Sequence, residues 1–147
     1  MEFVMDNSKE ELSQLAQIVT EARDHFLQIL EASVEHQNTK GTCLFAVVFC
    51  GTLINRFTGF TAIIRGGDGS GDGGLFIGDK GYGHYWIDID VQGQTYIVDI
   101  TGDQFGLEPV IVSAADALTP KYVPGCQTTV DRHVEEMHLS FTQTCVG

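Results

Sequence analysis

The stretch that most limits the fold is GHYWIDIDVQGQTYIVDIT, residues 83–101. Two alternating runs flank Gln92-Gly93, the signature of an antiparallel hairpin closed by a two-residue turn. That turn sets Val91 opposite Gln94, Trp86 opposite Asp99 and His84 opposite Thr101. Side chains alternate across the pleat, so His84, Trp86, Asp88, Asp90, Thr95, Ile97, Asp99 and Thr101 share one face. Tyr85, Ile87, Ile89, Val91, Tyr96, Val98 and Ile100 share the other, which reads as core. In this register His84 and Asp99 are diagonal neighbours, about 7–8 Å apart at the backbone and within side-chain hydrogen-bonding reach.

A carboxylate beside a histidine orients the imidazole and raises its basicity, as a general base requires. The plain alternative is a surface histidine beside an acid, and a nucleophile is needed to separate the two. Cys43 is the candidate. It follows Gly41-Thr42 and opens the apolar run CLFAVVFCGTLINRF, which reads as a buried central helix with Thr42 at its N-cap. A thiol in the first helical turn meets unpaired amides and the positive end of the dipole, which favour thiolate and can hold an oxyanion. An inert packed thiol is the other reading of Cys43, and it is the reading given to Cys50 inside the same helix.

The remaining elements are ordinary scaffold. Ser8 and Glu11 form a capping box ahead of a stripe of Leu12, Leu15, Val19, Ala22, Phe26, Ile29 and Leu30, predicting a long N-terminal helix that ends near HQNTKGTC. FTAIIR, residues 60–65, predicts a short strand, and GGDGSGDGG after it a flexible loop positioned to act as a flap. Beyond GDQFG, PVIV suggests a strand, SAADAL a helical turn and TTVDRHVEEMHLSF a helix. No internal repeat or linker divides the chain, so residues 1–147 are taken as a single domain.

With Cys43, His84, Asp99 and Thr101 on the page, GTC, GHYW and VDIT together resemble the transglutaminase-like and papain-like cysteine superfamily. The resemblance covers roughly residues 38–106 and includes the Cys, His, Asp order. It implies an α+β fold in which a central Cys-bearing helix packs on a small antiparallel sheet, with the long first helix covering it; for Cys43 to meet His84 the helix is expected to cross the polar hairpin face at its His84 end only, leaving Asp88 and Asp90 in water. It also implies thiol chemistry on an amide or acyl group through a thioester. Cys43 would be the nucleophile, His84 the proton carrier and Asp99 its orienting partner. The Cys43 amide would supply one oxyanion donor; Gln37, Asn38 and Gln104 are the candidates for a second. Trp86 would either line the cleft or wedge the helix. Protease, deamidase and transglutaminase-like activities share this triad.

Composition narrows the partners. Eight Lys and Arg against 20 Asp and Glu give a net charge of −12, which opposes binding to nucleic acid and anionic membranes. No apolar run is long enough to span a bilayer and no leader is evident, so a cytoplasmic location with free thiols is expected. The expected partner is a peptide, protein or small amide substrate, with basic partners favoured by the acidic surface and no cofactor. The competing class is a non-catalytic acidic binding or inhibitor module that retains the fold.

Two metal patterns compete with these readings. Asp68, Ser70, Asp72, Gly73, Leu75 and Asp79 fall at EF-hand positions, although position 12 is Asp rather than Glu and no helices flank the loop. A glycine-rich acidic loop matching by accident is the favoured reading. Cys126, His133, His138 and Cys145 have zinc-like residue types, but neither cysteine has a close partner. Gly69 to Gly74 also spells G-x-G-x-x-G, but no helix follows and the aspartates would repel a pyrophosphate.

Overall fold

The structure is a computed structural model that describes residues 2–32 and 42–146, with side chains over 9–31 and 42–139. In chain order come α1 (Glu2–Ala32), α2 (Cys43–Phe57), β1 (Ile63–Gly67), β2 (Gly74–Ile77), β3 (Lys80–Tyr82), β4 (His84–Val91) and β5 (Gln94–Asp99). A 3₁₀ turn (Gly102–Phe105), β6 (Ile111–Ala114), a second 3₁₀ turn (Ala115–Ala117), β7 (Lys121–Val123) and α3 (Gln127–Val146) complete it. The fold is α+β. Among the described residues no helix is long and apolar enough to cross a membrane.

The strands form two antiparallel sheets, a four-stranded one in the order β1-β4-β5-β6 and a three-stranded one in the order β3-β2-β7. The hairpin holds the expected register, Val91 opposite Gln94 and Ile87 opposite Val98. Its turn is type I′, because Gln92 (φ 53°) and Gly93 (φ 86°) are both left-handed, the hand that matches the twist of the flanking strands.

The apolar hairpin face is the core, as alternation requires. Ile87, Ile89, Val91, Val98 and Ile100 pack with Ala46, Val47, Val48, Cys50 and Ile54 of α2 and with Leu15, Val19, Ala22, Phe26 and Leu30 of α1. Each Val, Leu, Ile or Phe side chain fully withdrawn from water contributes about 1.5–3 kcal/mol, and the alanines and Cys50 less. Two expectations are corrected here. The helix α1 starts at Glu2 and runs through Ser8, so Ser8 and Glu11 do not cap its start. The helix α2 lies on the apolar hairpin face, not across the polar one, because that face alone offers the hydrocarbon its inner side needs.

The His84 end of the polar hairpin face is roofed by the second sheet and the first 3₁₀ turn. Tyr122 of β7 meets Trp86 edge-on at 5.2 Å, Phe105 meets the His84 ring edge-on at 4.9 Å, and Tyr82 of β3 packs on Phe105 at 5.0 Å. Asp88 is drawn in as well, accepting hydrogen bonds from Arg65 Nε (3.0 Å) and Trp86 Nε1 (3.2 Å), whereas Asp90 stays in water.

The glycine-rich segment is a crossing of closely packed backbones. Asp68 N donates to Asp72 O, Gly69 N to Gly73 O and Gly125 N to Gly66 O, at 3.1, 2.8 and 2.8 Å. A Cβ on Gly67 would fall 2.1 Å from Gly74 N, which no side chain tolerates. The expectation of a flexible flap is therefore replaced by a tied junction between the two sheets.

Candidate active site

His84 opens β4 and Asp99 closes β5, so the hairpin register delivers both to one end of the sheet. His84 Nε2 donates to Asp99 Oδ2 at 2.8 Å, and each residue is only 1% exposed. The other carboxylate oxygen accepts the Thr101 amide (3.0 Å) and the Thr101 hydroxyl (3.4 Å). Tyr122 Oη donates to Oδ2 at 2.8 Å, so Asp99 has four hydrogen-bond donors around one buried charge. Such donors offset the desolvation of a buried carboxylate.

The second ring nitrogen, Nδ1 of His84, is buried and has no partner of standard hydrogen-bond geometry. The Cys43 thiol is among the neighbours that raise the pKa of this ring. Burial pushes the His84 pKa down, but the Asp99 hydrogen bond, the Cys43 hydrogen bond and the charges of both outweigh it, and the value is raised to about 9. The ring is thus held as imidazolium at neutral pH.

Cys43 is the first residue of α2 and is half-buried. Thr42 takes the N-cap position and its carbonyl accepts from Ala46 N at 3.0 Å, although its side chain makes no capping bond. The Cys43 amide therefore lies in the first turn, outside the i→i−4 ladder, where helix amides face an incoming oxyanion. Cys50, two turns deeper and fully buried, has its thiol pushed up to about 12 by burial and then by the Asp99 charge. That makes it packing, as its place in the sequence suggests.

Leu44, next to Cys43 in the chain, lines a pocket with Tyr85, His133, Glu136 and Met137. Tyr85 and His133 also line a second pocket, with Asp68, Asp72, Cys126 and Thr129. A hydrogen bond between the Tyr85 hydroxyl and His133 Nδ1 ties β4 to α3.

The other sequence candidates fare differently. Trp86 is fully buried on the polar hairpin face, stacked 6.4 Å from the His84 ring and against Tyr122 of the second sheet, and is not part of the core cluster that α2 joins. Gln104 is bound within its own turn, one N–H of its Nε2 donating to Thr101 O at 3.1 Å. Gln37 and Asn38 lie outside the described residues.

Asp68, Ser70, Asp72 and Asp79 do not form an EF-hand, because β1 and β3 stand where the flanking helices would be. Asp68 Oδ1 instead accepts the amides of Ser70 (2.8 Å) and Asp72 (3.0 Å), and Asp72 Oδ1 accepts the Cys126 amide (2.8 Å). Among the described residues no three His, Cys, Asp or Glu side chains gather as metal ligands, and Cys145 is outside the described side chains.

Three residues at the site carry no sequence signal. Tyr122 and Phe105 reach His84 from short elements without periodicity. Arg23 of α1 donates to the Ile100 carbonyl at 2.6 Å and bidentately to Asp103 at 3.0 and 2.9 Å, which fixes the chain just after β5. No family model, curated protein or solved structure matches the chain.

Proposed function

We propose that the chain is a cysteine-dependent amide or acyl hydrolase, or an acyl transferase, built on a papain- or transglutaminase-like core. The observation that carries this reading is the buried 2.8 Å His84–Asp99 pair with the helix-opening Cys43 acting on the same ring. Desolvation strengthens the pair's electrostatics, and Asp99 holds the ring so that one nitrogen faces the thiol.

In this reading the Cys43 thiolate attacks the carbonyl carbon, forming a C–S bond, and the developing oxyanion meets the Cys43 amide. A donor of this kind is worth about 10²–10³ in rate. The His84 imidazolium gives its proton to the leaving nitrogen as the C–N bond breaks, leaving a thioester. Water or an amine then attacks, His84 takes its proton, and the C–S bond breaks to regenerate thiolate. His84 charged at rest suits it to act first as the acid.

The test is intact-protein mass spectrometry after exposure to activated acyl esters and glutamine-containing peptides. Support is a transient adduct at Cys43 that is absent in Cys43→Ala and accumulates or vanishes in His84→Ala. The absence of any Cys43 adduct across these acyl donors would favour the non-catalytic binding module instead.

A further inference from the structure

We propose that Tyr122 is a positioning residue of the Cys43–His84–Asp99 site, its hydroxyl holding Asp99 in place and limiting how tightly that carboxylate keeps a proton on His84. The inference rests on the catalytic reading of the site given above.

The geometry is specific. Tyr122 Oη and His84 Nε2 donate to the same oxygen, Asp99 Oδ2, each at 2.8 Å. Tyr122 comes from the second sheet, where it pairs with Leu75, itself fully buried, so the hydroxyl is delivered by a framework independent of the hairpin. Its ring stands edge-on to Trp86 at 5.2 Å and 6.4 Å from the His84 ring. Burial, then the Asp99 charge, then the hydrogen bond to Asp99 raise the Tyr122 pKa, so the phenol stays protonated and only donates.

Two donors on one oxygen compete for the same charge. Each hydrogen bond to a carboxylate stabilises the anion and weakens what it offers its other partner. Removing the hydroxyl while keeping the ring leaves Asp99 with the two Thr101 donors and His84, and concentrates its charge on the imidazolium. The titratable groups facing the pair are Cys43 and Cys50 from α2 and Tyr122 from β7; Arg23 and Asp103 are paired with each other behind Ile100. Of these, Tyr122 donates directly to Asp99.

The experiment is a long-range ¹H–¹⁵N NMR titration of His84, assigned by its loss in His84→Ala, in wild type and Tyr122→Phe. The His84 midpoint is expected to rise by about half a pH unit or more in Tyr122→Phe. The effect should disappear when Asp99→Asn is also present, since the coupling runs through the carboxylate. Site-specific 3-fluorotyrosine at position 122, a stronger donor, should move the midpoint down, and decides the matter if Tyr122→Phe does not fold.

A merely structural tyrosine would lower the melting temperature and leave the midpoint in place. That result, or a shift that persists with Asp99→Asn, overturns the proposal. Cys43 alkylation on the same samples separates the two levels. If it ignores His84, the catalytic reading fails; if it depends on His84 while the midpoint stays put, only the role of Tyr122 fails.

Discussion

Raising the pH from 6 to 9 should destabilise this protein in a way traceable to one residue. An unfolded histidine titrates near 6.5, whereas folded His84 titrates at about 9. Below 6.5 both states carry the proton and the full stabilisation from the Asp99 and Cys43 partners is present. Between the two values the unfolded chain has released its proton and the native state has not, so stability falls as pH rises, and above 9 the contribution is gone.

Each pH unit of that gap is worth about 1.4 kcal/mol, so the total loss is on the order of 3 kcal/mol. Against a stability of about 5–15 kcal/mol for a typical domain this is readily measured. Cys50 begins its own loss only where an unfolded thiol ionises, near 9, and the lowered pKa of exposed Cys126 acts in the opposite direction, so a fall between 6.5 and 8.5 that vanishes in Asp99→Asn belongs to His84. Urea unfolding followed by far-ultraviolet circular dichroism at half-unit pH steps, in wild type and Asp99→Asn, reads it directly. A flat or rising wild-type profile, or a slope unchanged in Asp99→Asn, refutes the buried charged pair.

Other substitutions test the framework around the site. Arg23→Ala removes the Ile100 and Asp103 bonds and should destabilise by about 2–4 kcal/mol in urea unfolding. Gly67→Ala places a Cβ 2.1 Å from Gly74 N and should destabilise by about 2–3 kcal/mol, whereas Gly71→Ala, with nothing within 4 Å, should change thermal stability by less than about 0.5 kcal/mol. Gln92→Asn eases a left-handed residue in the type I′ turn, and a gain of about 0.5–1 kcal/mol in the same assay is expected.

The hairpin was legible because period-two alternation fixes both register and faces, and with them the meeting of His84 and Asp99. Cys43 was legible as the first residue of an apolar run. The segment TTVDRHVEEMHLSF reads as either helix or strand from sequence; it is helical as α3, with Val134 and Met137 packed against the core. The second sheet was not. The strands GLFI, KGY and KYV are too short to carry a period, and their pairing depends on glycine backbones meeting across the 67–74 crossing, a contact no local pattern reports. Tyr122 was hidden for the same reason, set between Pro120 and Pro124 on an edge strand. The side on which α2 packs was misjudged because the polar face was taken as the place where helix and histidine meet. The His84 end of the sheet lets α2 lie on the apolar face and still bring Cys43 to the ring.

The measurement closest to the central claim is the pH dependence of iodoacetamide alkylation at each cysteine, read by peptide mass spectrometry in wild type and His84→Ala. Two internal references come with the fold. Cys126 is exposed, with its thiol pKa lowered by hydrogen bonds from the Thr129 side chain and backbone, and should react alike in both proteins; Cys50, buried and raised to about 12, should stay protected in both. Cys43 should react well below pH 8 in wild type and lose that reactivity in His84→Ala while Cys126 is unchanged. Cys43 reacting identically in the two proteins would mean that the ring does not act on the thiol, and the site would not be a catalytic one.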